Sequence, residues 1–344
     1  MTELPFLLFL VTNIKITFFG GTPMTGKLKL PKFQSQLPIL VGIIVLMMIF
    51  LTIVSPNFLK VQNFSNILLK IGIYILIASA ANLIMITGNL DLSVGAILAF
   101  SGILHAYMCK HGVPIPLSIL ITCLAAMVWG VFNGFVVGKL RIVPVVATLG
   151  TMYMAEGLAF LIARWDGGTN IMLGLPGAYT RLGRYMMFGK IPIIIVFVVI
   201  VAAIFLFIEK KTKLGRFSFA IGDNRSAAEL SGINVTKVII ILYALSALLA
   251  GFSGILQSSR VGLAAPNVGR MIETYVLIVC VLGGTKMSGG RGSIIGVLLG
   301  AAIIGLLENG LNLLGVDHFY QEVARGLLLI IAVIAQKNSK TVKS

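Results

Sequence analysis

Apolar runs of about 20 residues recur along the chain, separated by short polar or basic segments, and that is the length a helix needs to cross a bilayer core. The runs lack the two-residue alternation of barrel strands. In lipid only helices and closed barrels satisfy their own backbone, so the pattern predicts an all-α polytopic integral membrane protein. Ten spans are expected, near 38–55, 66–87, 92–108, 117–138, 144–163, 191–209, 238–256, 271–283, 293–308 and 320–336. The eighth and ninth are short and interrupted by glycine.

Charge then sets orientation. With the N-terminus inside, 17 of the 27 Lys and Arg fall in cytoplasmic segments and 8 in external ones, with Lys70 and Arg325 at span edges. This imbalance predicts both termini in the cytoplasm. The net charge of +16 does not indicate nucleic acid, because the cations lie between spans and no aromatic-laced basic groove is present. Membrane lipid is the expected surface partner.

The expected organisation is a cytoplasmic leader over 1–37, a transmembrane domain over 38–336 and a basic cytoplasmic tail over 337–344. Within the leader, residues 1–23 hold an acid and an apolar core too short to span. "MTGKLKLPKF" from Met24 reads as a basic entry to the first span, so translation is expected to start there and residues 1–23 to be dispensable. Two loops exceed a simple turn, an external one over 164–190 and a cytoplasmic one over 209–237. A long loop on each face implies something to meet on each face.

Little in the chain suggests catalysis. Cys109, Cys123 and Cys280 are odd in number and widely scattered, which predicts neither a disulfide frame nor a metal site. His105, His111 and His318 show no ligand spacing. "GGTKMSGGRGS" has the look of a phosphate loop, but Gly289 is followed by Gly290 and Arg291 where that pattern needs Lys and then Ser or Thr. No cofactor is expected, and energy must come from another subunit or an ion gradient. The spacing G-x-x-x-L/M-S-x-G occurs at Gly88–Gly95 and at Gly283–Gly290, either as an internal repeat or as two unrelated glycine turns.

The cytoplasmic loop carries a polar island, "AIGDNRSAAELSGINVTK". Gly222, Asp223 and Asn224 lead into a short helix with Asp223 as its expected cap, Ala227, Ala228 and Leu230 as its small apolar face, and Ser231–Gly232 as its end. Two helical turns are marginal alone in water, so such a helix needs a docking partner. The preceding "EKKTKLGR" suits the anionic membrane surface.

Polar groups within or beside the spans are Asn82, Asp91, Ser93, Asn133, Glu156, Glu273, Glu308, Asn309 and Asn312. Carboxylates at membrane depth are costly, about 2.5–3.5 kcal/mol on insertion scales, so they mark function or tight pairing. One reading is a hydrophilic path exchanging hydrogen bonds with solute hydroxyls. The other is hydrogen bonding between helices and capping, with Asp91 and Ser93 capping the third span.

These segments carry a resemblance. "LGRFSFAIGDNRSAAELSGINV", "TGNLDLSVGAILA", "VVATLGTMYMAEGLA", "VLGGTKMSGGRGSIIGVLLGA" and "NGLNLLGVDHFYQ" resemble, in order and spacing, permease subunits of bacterial ABC sugar importers of the ribose/xylose/galactose type. The resemblance covers nearly everything from about residue 38. It implies a multi-pass protein of the bacterial inner membrane that moves a monosaccharide and is not itself an enzyme. It implies that the island is the coupling helix on a cytoplasmic ABC ATPase subunit. It further implies an extracytoplasmic sugar-binding protein, expected to dock near Arg181 and Arg184, and a second permease copy or paralogue sharing the pathway. Glu156 departs from the family pattern, which carries a basic residue there. Two other readings stay open: an ion-coupled secondary transporter using Asp91 or Glu156, and a membrane enzyme acting on lipid-linked sugar, which would need a reactive carboxylate cluster.

Overall fold

The computed structural model describes residues 36–341 apart from 166, 168, 169, 188 and 190, without the side chains of 36, 318 and 335–341. Residues 1–35, with the expected start at Met24, and the last three residues of the tail lie outside the described residues. Among the described residues there are thirteen helices: α1 Gln36–Val54, α2 Val61–Ile86, α3 Val94–Lys110, α4 Ile115–Gly138, α5 Pro144–Trp165, α6 Gly177–Arg184, α7 Ile193–Lys211, α8 Lys213–Asp223, α9 Arg225–Leu230, α10 Val235–Val261, α11 Ile272–Leu282, α12 Ile294–Leu313 and α13 His318–Thr341. A two-stranded antiparallel hairpin, β1 Met186–Met187 and β2 Ile191–Pro192, precedes α7.

Among the described residues, seven helices, α1, α2, α4, α5, α7, α10 and α12, are long and apolar enough to cross a membrane. The expected third and eighth spans appear as the shorter apolar helices α3 and α11. The polytopic helical fold therefore stands, with seven spans supported by length and composition where ten were expected.

Burial sorts these helices into layers. In α2 and α10, 83% and 72% of the apolar window lies inside the protein, against 11% in α1 and 17% in α7. α2 and α10 therefore form the centre, while α1 and α7 are left to face lipid. Close approach to α10 is licensed by glycine. A Cβ on Gly130 of α4 would lie 2.3 Å from the Tyr243 carbonyl oxygen, and one on Gly254 of α10 would lie 2.0 Å from that of Leu98 in α3. Small residues admit such contacts, and packing of this kind drives helix association where lipid is as apolar as leucine.

Two breaks interrupt the central helices. Between α2 and α3, residues 87–93 turn back into the bundle, and Leu90 receives the Tyr243 hydroxyl 2.7 Å away, roughly two turns up α10. Between α10 and α11, residues 262–271 also enter the bundle, and Gly269 meets the backbone of Gly95 at the start of α3 with no room for a side chain. Met271 then opens α11 at φ 67°, a left-handed conformation uncommon outside glycine. Irregular backbone at membrane depth persists only where protein buries it or a cavity receives it.

The two glycine patterns diverge. Residue 95 is already inside α3, whereas Gly289 and Gly290 still form a turn at φ 84° and 75° and α12 begins only at Ile294.

Candidate coupling and translocation sites

At one end of the bundle lie α8 and α9, the island itself. α8 is capped by Thr212, whose hydroxyl accepts from the Gly215 N–H. It ends at Asp223, and the cap of α9 is Asn224, whose Oδ1 accepts from the Ala227 N–H at 3.0 Å. The expected cap therefore moves by one residue. Asn and Asp are equally good caps, and here Asp223 is spent as the last residue of α8. Gly232 ends α9 as expected, at φ 82°, with its N–H and that of Ile233 returning to the Glu229 and Ala228 carbonyls.

The apolar face of α9 divides. Ala228 turns inward and is buried, while Ala227 is exposed and Leu230 is 90% exposed. A leucine held outward at the tip of a capped helix is an apolar knob without an internal partner.

Beneath the knob, the island is fastened to three other turns. A Cβ on Gly222 would fall 1.8 Å from the Ile86 carbonyl oxygen, which itself accepts from the Gly290 N–H at 2.9 Å. Three segments thus touch through bare backbone. Glu209, at the end of α7, accepts from the Ile294 N–H at 2.7 Å and so caps α12 from a neighbouring helix. Arg225 pairs with Glu229 at 3.3 Å and reaches the Gly138 carbonyl, which Thr236 also engages, while Arg141 reaches Glu229 at 3.4 Å. Arg225 is accordingly a fastening as well as a surface charge.

The polar residues proposed for a path fall into separate groups. Asp91, Ser93 and Asn133 form one closed network. Asp91 accepts from the Ser93 N–H and hydroxyl and from the Ser246 hydroxyl, Asn133 donates to Ser93 at 2.9 Å, and Thr151 donates to Asn133. All five side chains are buried, and they join the 87–93 turn to α4, α5 and α10. Asn82 is buried and accepts from Thr285. Asn309 exchanges hydrogen bonds with Asn63, and Asn312 accepts from Gln321. Glu308 lies between Lys70 at 2.9 Å and Arg325 at 3.7 Å.

Glu156 and Glu273 behave differently, because both face open space. They share a chamber of 220 Å³ with Gly95, Gly269, Arg270 and Met271, where the inward-turning 262–271 segment meets the start of α3. Arg270 also lines a second cleft of 330 Å³ toward the hairpin end, with Asn66, Lys70, Tyr74, Gln257, Arg260 and Tyr275. The Tyr74 and Tyr275 rings stack there, 4.8 Å apart. Sequence reasoning did not single out Gln257, Arg260, Arg270 or Tyr275. The available signal was "AAPNVG", a short polar break beside two charges, and discontinuous helices are where transporters place binding sites.

The arginines of the long loop take unequal parts. Arg184 donates to the Arg260 and Val261 carbonyls, each at 2.8 Å, and so ties α6 to the end of α10. Ser259 completes the joint by accepting from the Gly183 N–H and donating to the Tyr179 carbonyl. Arg181 is exposed. Nearby, His105 lies 2.6 Å from the Ser118 hydroxyl with Cys109 beside it, a base and two nucleophile types together. His105, Ser118 and Cys109 are all buried, so the cluster joins α3 to α4.

Comparison with known proteins bears on these sites. The ribose import permease of Bacillus subtilis is 40% identical over 292 residues, covering 85% of this chain and 90% of that protein. The ribose import permease of Escherichia coli K12 is 34% identical over 309 residues, covering 88% and 93%. The galactose/methyl galactoside import permease of Escherichia coli K12 is 33% identical over 309 residues, covering 85% and 92%. No solved structure matches the chain. Residues 63–333 match the family described as the permease component of the branched-chain amino acid transport system. By that match and by these relatives, the chain belongs to the family of ABC-importer permeases.

Proposed function

We propose that the protein is the membrane permease of an ATP-driven importer of a monosaccharide, related to the ribose and galactose permeases it resembles. Both termini and the island lie on the cytoplasmic side, as the Lys and Arg distribution favours. A separate ATPase subunit seats on α8 and α9, an external binding protein delivers solute at the hairpin end, and a second copy or paralogue completes the pathway. Solute passes by the cleft and chamber around residues 262–271, where Glu156 and Glu273 offer acceptors to hydroxyls. The buried Asp91 network serves as the frame.

The observation that carries this reading is the island. Leu230 is 90% exposed, while its base is locked by backbone contact to the 86–90 and 289–290 turns. Displacement of the knob would therefore reach the turn that holds Asp91. An ion-coupled carrier has no need of such a knob. Reconstitution with the ATPase and binding protein tests the reading. Uptake of ribose or galactose should require ATP and persist when ion gradients are collapsed, and uptake that follows the gradient without ATP would overturn it.

A further inference from the structure

The cleft and the chamber differ in the charges that dominate them, cations in the first and carboxylates in the second. In the cleft, Lys70, Arg260 and Arg270 supply N–H groups only, and Asn66 and Gln257 add amides. Lys70 is engaged by Glu308, and Arg325 by Glu308 and Glu322. Among the described residues, neither Arg260 nor Arg270 forms an ion pair. Arg260 reaches the Gln257 Oε1 at 3.2 Å, but its Nε is buried and without a hydrogen-bond partner. A sheltered cation is normally paired, whereas Arg260 lines the cleft with its charge unmatched. The chamber adds two carboxylates, Glu156 and Glu273, which only accept when ionised, with Arg270 at its margin. Arg270 lines both cavities, so they adjoin.

We propose that the cleft and chamber together form a selectivity site for an anionic monosaccharide, a sugar acid or sugar phosphate, held with its anionic group at Arg260 and its hydroxyls toward Glu156 and Glu273. The proposal rests on the monosaccharide-permease reading and narrows its substrate class. A neutral sugar would leave the Arg260 charge unmatched. An anion seated in the chamber would meet two carboxylates. Only a solute with an acceptor-only end and a hydroxyl-bearing end matches both cavities at once. A planar guanidinium suits either carboxylate or phosphate, since both accept its paired N–H groups. Arg260 is the specificity-determining residue and Glu273 the hydroxyl reader.

The full-length permease in lipid nanodiscs is titrated by calorimetry with D-glucuronate, ribose 5-phosphate, D-glucose and D-ribose. At least one anionic probe should bind about tenfold or more tightly than its neutral counterpart, as the loss of a charge-assisted hydrogen bond implies. Preference for glucuronate identifies a carboxylate, and preference for ribose 5-phosphate a phosphate. Arg260→Gln should remove the preference while leaving weak neutral binding, Arg260→Lys should restore part of it, and Glu273→Gln should weaken charged and neutral probes alike. If Arg260→Gln does not fold, Arg270→Gln should diminish the same preference. Equal binding of charged and neutral probes, a preference that survives both arginine variants, or no binding of any probe overturns the proposal. ATP-dependent uptake of neutral ribose or galactose without anion preference would overturn this inference and leave the permease reading standing. Absence of ATP-dependent uptake of any of these sugars would overturn that reading itself.

Discussion

The two ends of the bundle share glycine-tight backbone contacts and differ in what they leave open. At the island end, Ile86, Gly222 and Gly290 meet backbone to backbone, and at position 222 nothing but glycine fits. At the hairpin end Gly183 also meets the Leu256 and Arg260 backbone, Ser259 and Arg184 add side-chain fastenings to the long loop, and between them and α2 a polar cleft remains open. Backbone contact without intervening side chains leaves little freedom to yield, which suits an end that must pass on a displacement. A side-chain-lined cleft is tolerant and wet, which suits an end that must receive a solute. The proposed function places coupling at the first end and recognition at the second.

The strongest way to break that contrast is at the knob. Leu230→Asp places a charge in the apolar contact proposed for the ATPase, at a cost of about 2–5 kcal/mol in binding, while the permease itself inserts normally because Leu230 touches little else. Next comes the seam below it. Gly222→Ala forces a methyl into the Ile86 carbonyl and should destabilise the island end by about 1–3 kcal/mol, seen as a lower Tm in detergent and poorer uptake per ATP hydrolysed. A control of similar size is Gly232→Ala, which meets open space and costs only its left-handed backbone, about 1 kcal/mol.

At the other end, Arg184→Ala removes two hydrogen bonds to the end of α10 and should cost about 1 kcal/mol, read as faster proteolysis of the 164–190 loop. Arg181→Glu should leave that loop intact and weaken solute capture most at low salt, where exposed charges act over longer range. The smallest effect belongs to Asp91→Asn. Its neighbours are hydroxyls and one N–H, so an amide can keep most of the contacts, and uptake should stay substantial. A normally inserted but inactive Asp91→Asn protein would instead favour ion coupling.

Much of this was legible in the sequence, and the limits have physical causes. Hydropathy marks long spans well because an apolar run of that length has few other fates. It fails at α11, where the 11 residues Ile272–Leu282 are too short to cross and the chain before them turns into the bundle. Glycine and Asn signals found α9 and its stop, but Asp223 and Asn224 cap equally well, so only the fold could choose between them. The split of Ala227 and Ala228 to opposite sides also needs the neighbours of α9. Composition identified the buried polar residues without separating frame from path. Asp91 and Asn133 proved to be knotted together, while Glu156 and Glu273, 117 positions apart in the chain, line one chamber. Arg184 reads as a surface charge in sequence, and its hold on two backbone carbonyls is visible only when α6 lies against α10.

The central claim is that α8 and α9 receive the ATPase and pass its motion to the turn at 86–93. Its most direct test is co-purification of the ATPase with wild-type permease and with Leu230→Asp and Gly222→Ala, alongside solute-stimulated ATP hydrolysis. The account predicts that Leu230→Asp loses the subunit, whereas Gly222→Ala keeps it bound but hydrolyses ATP without matching uptake. Retention of both binding and stimulated hydrolysis by Leu230→Asp would contradict it.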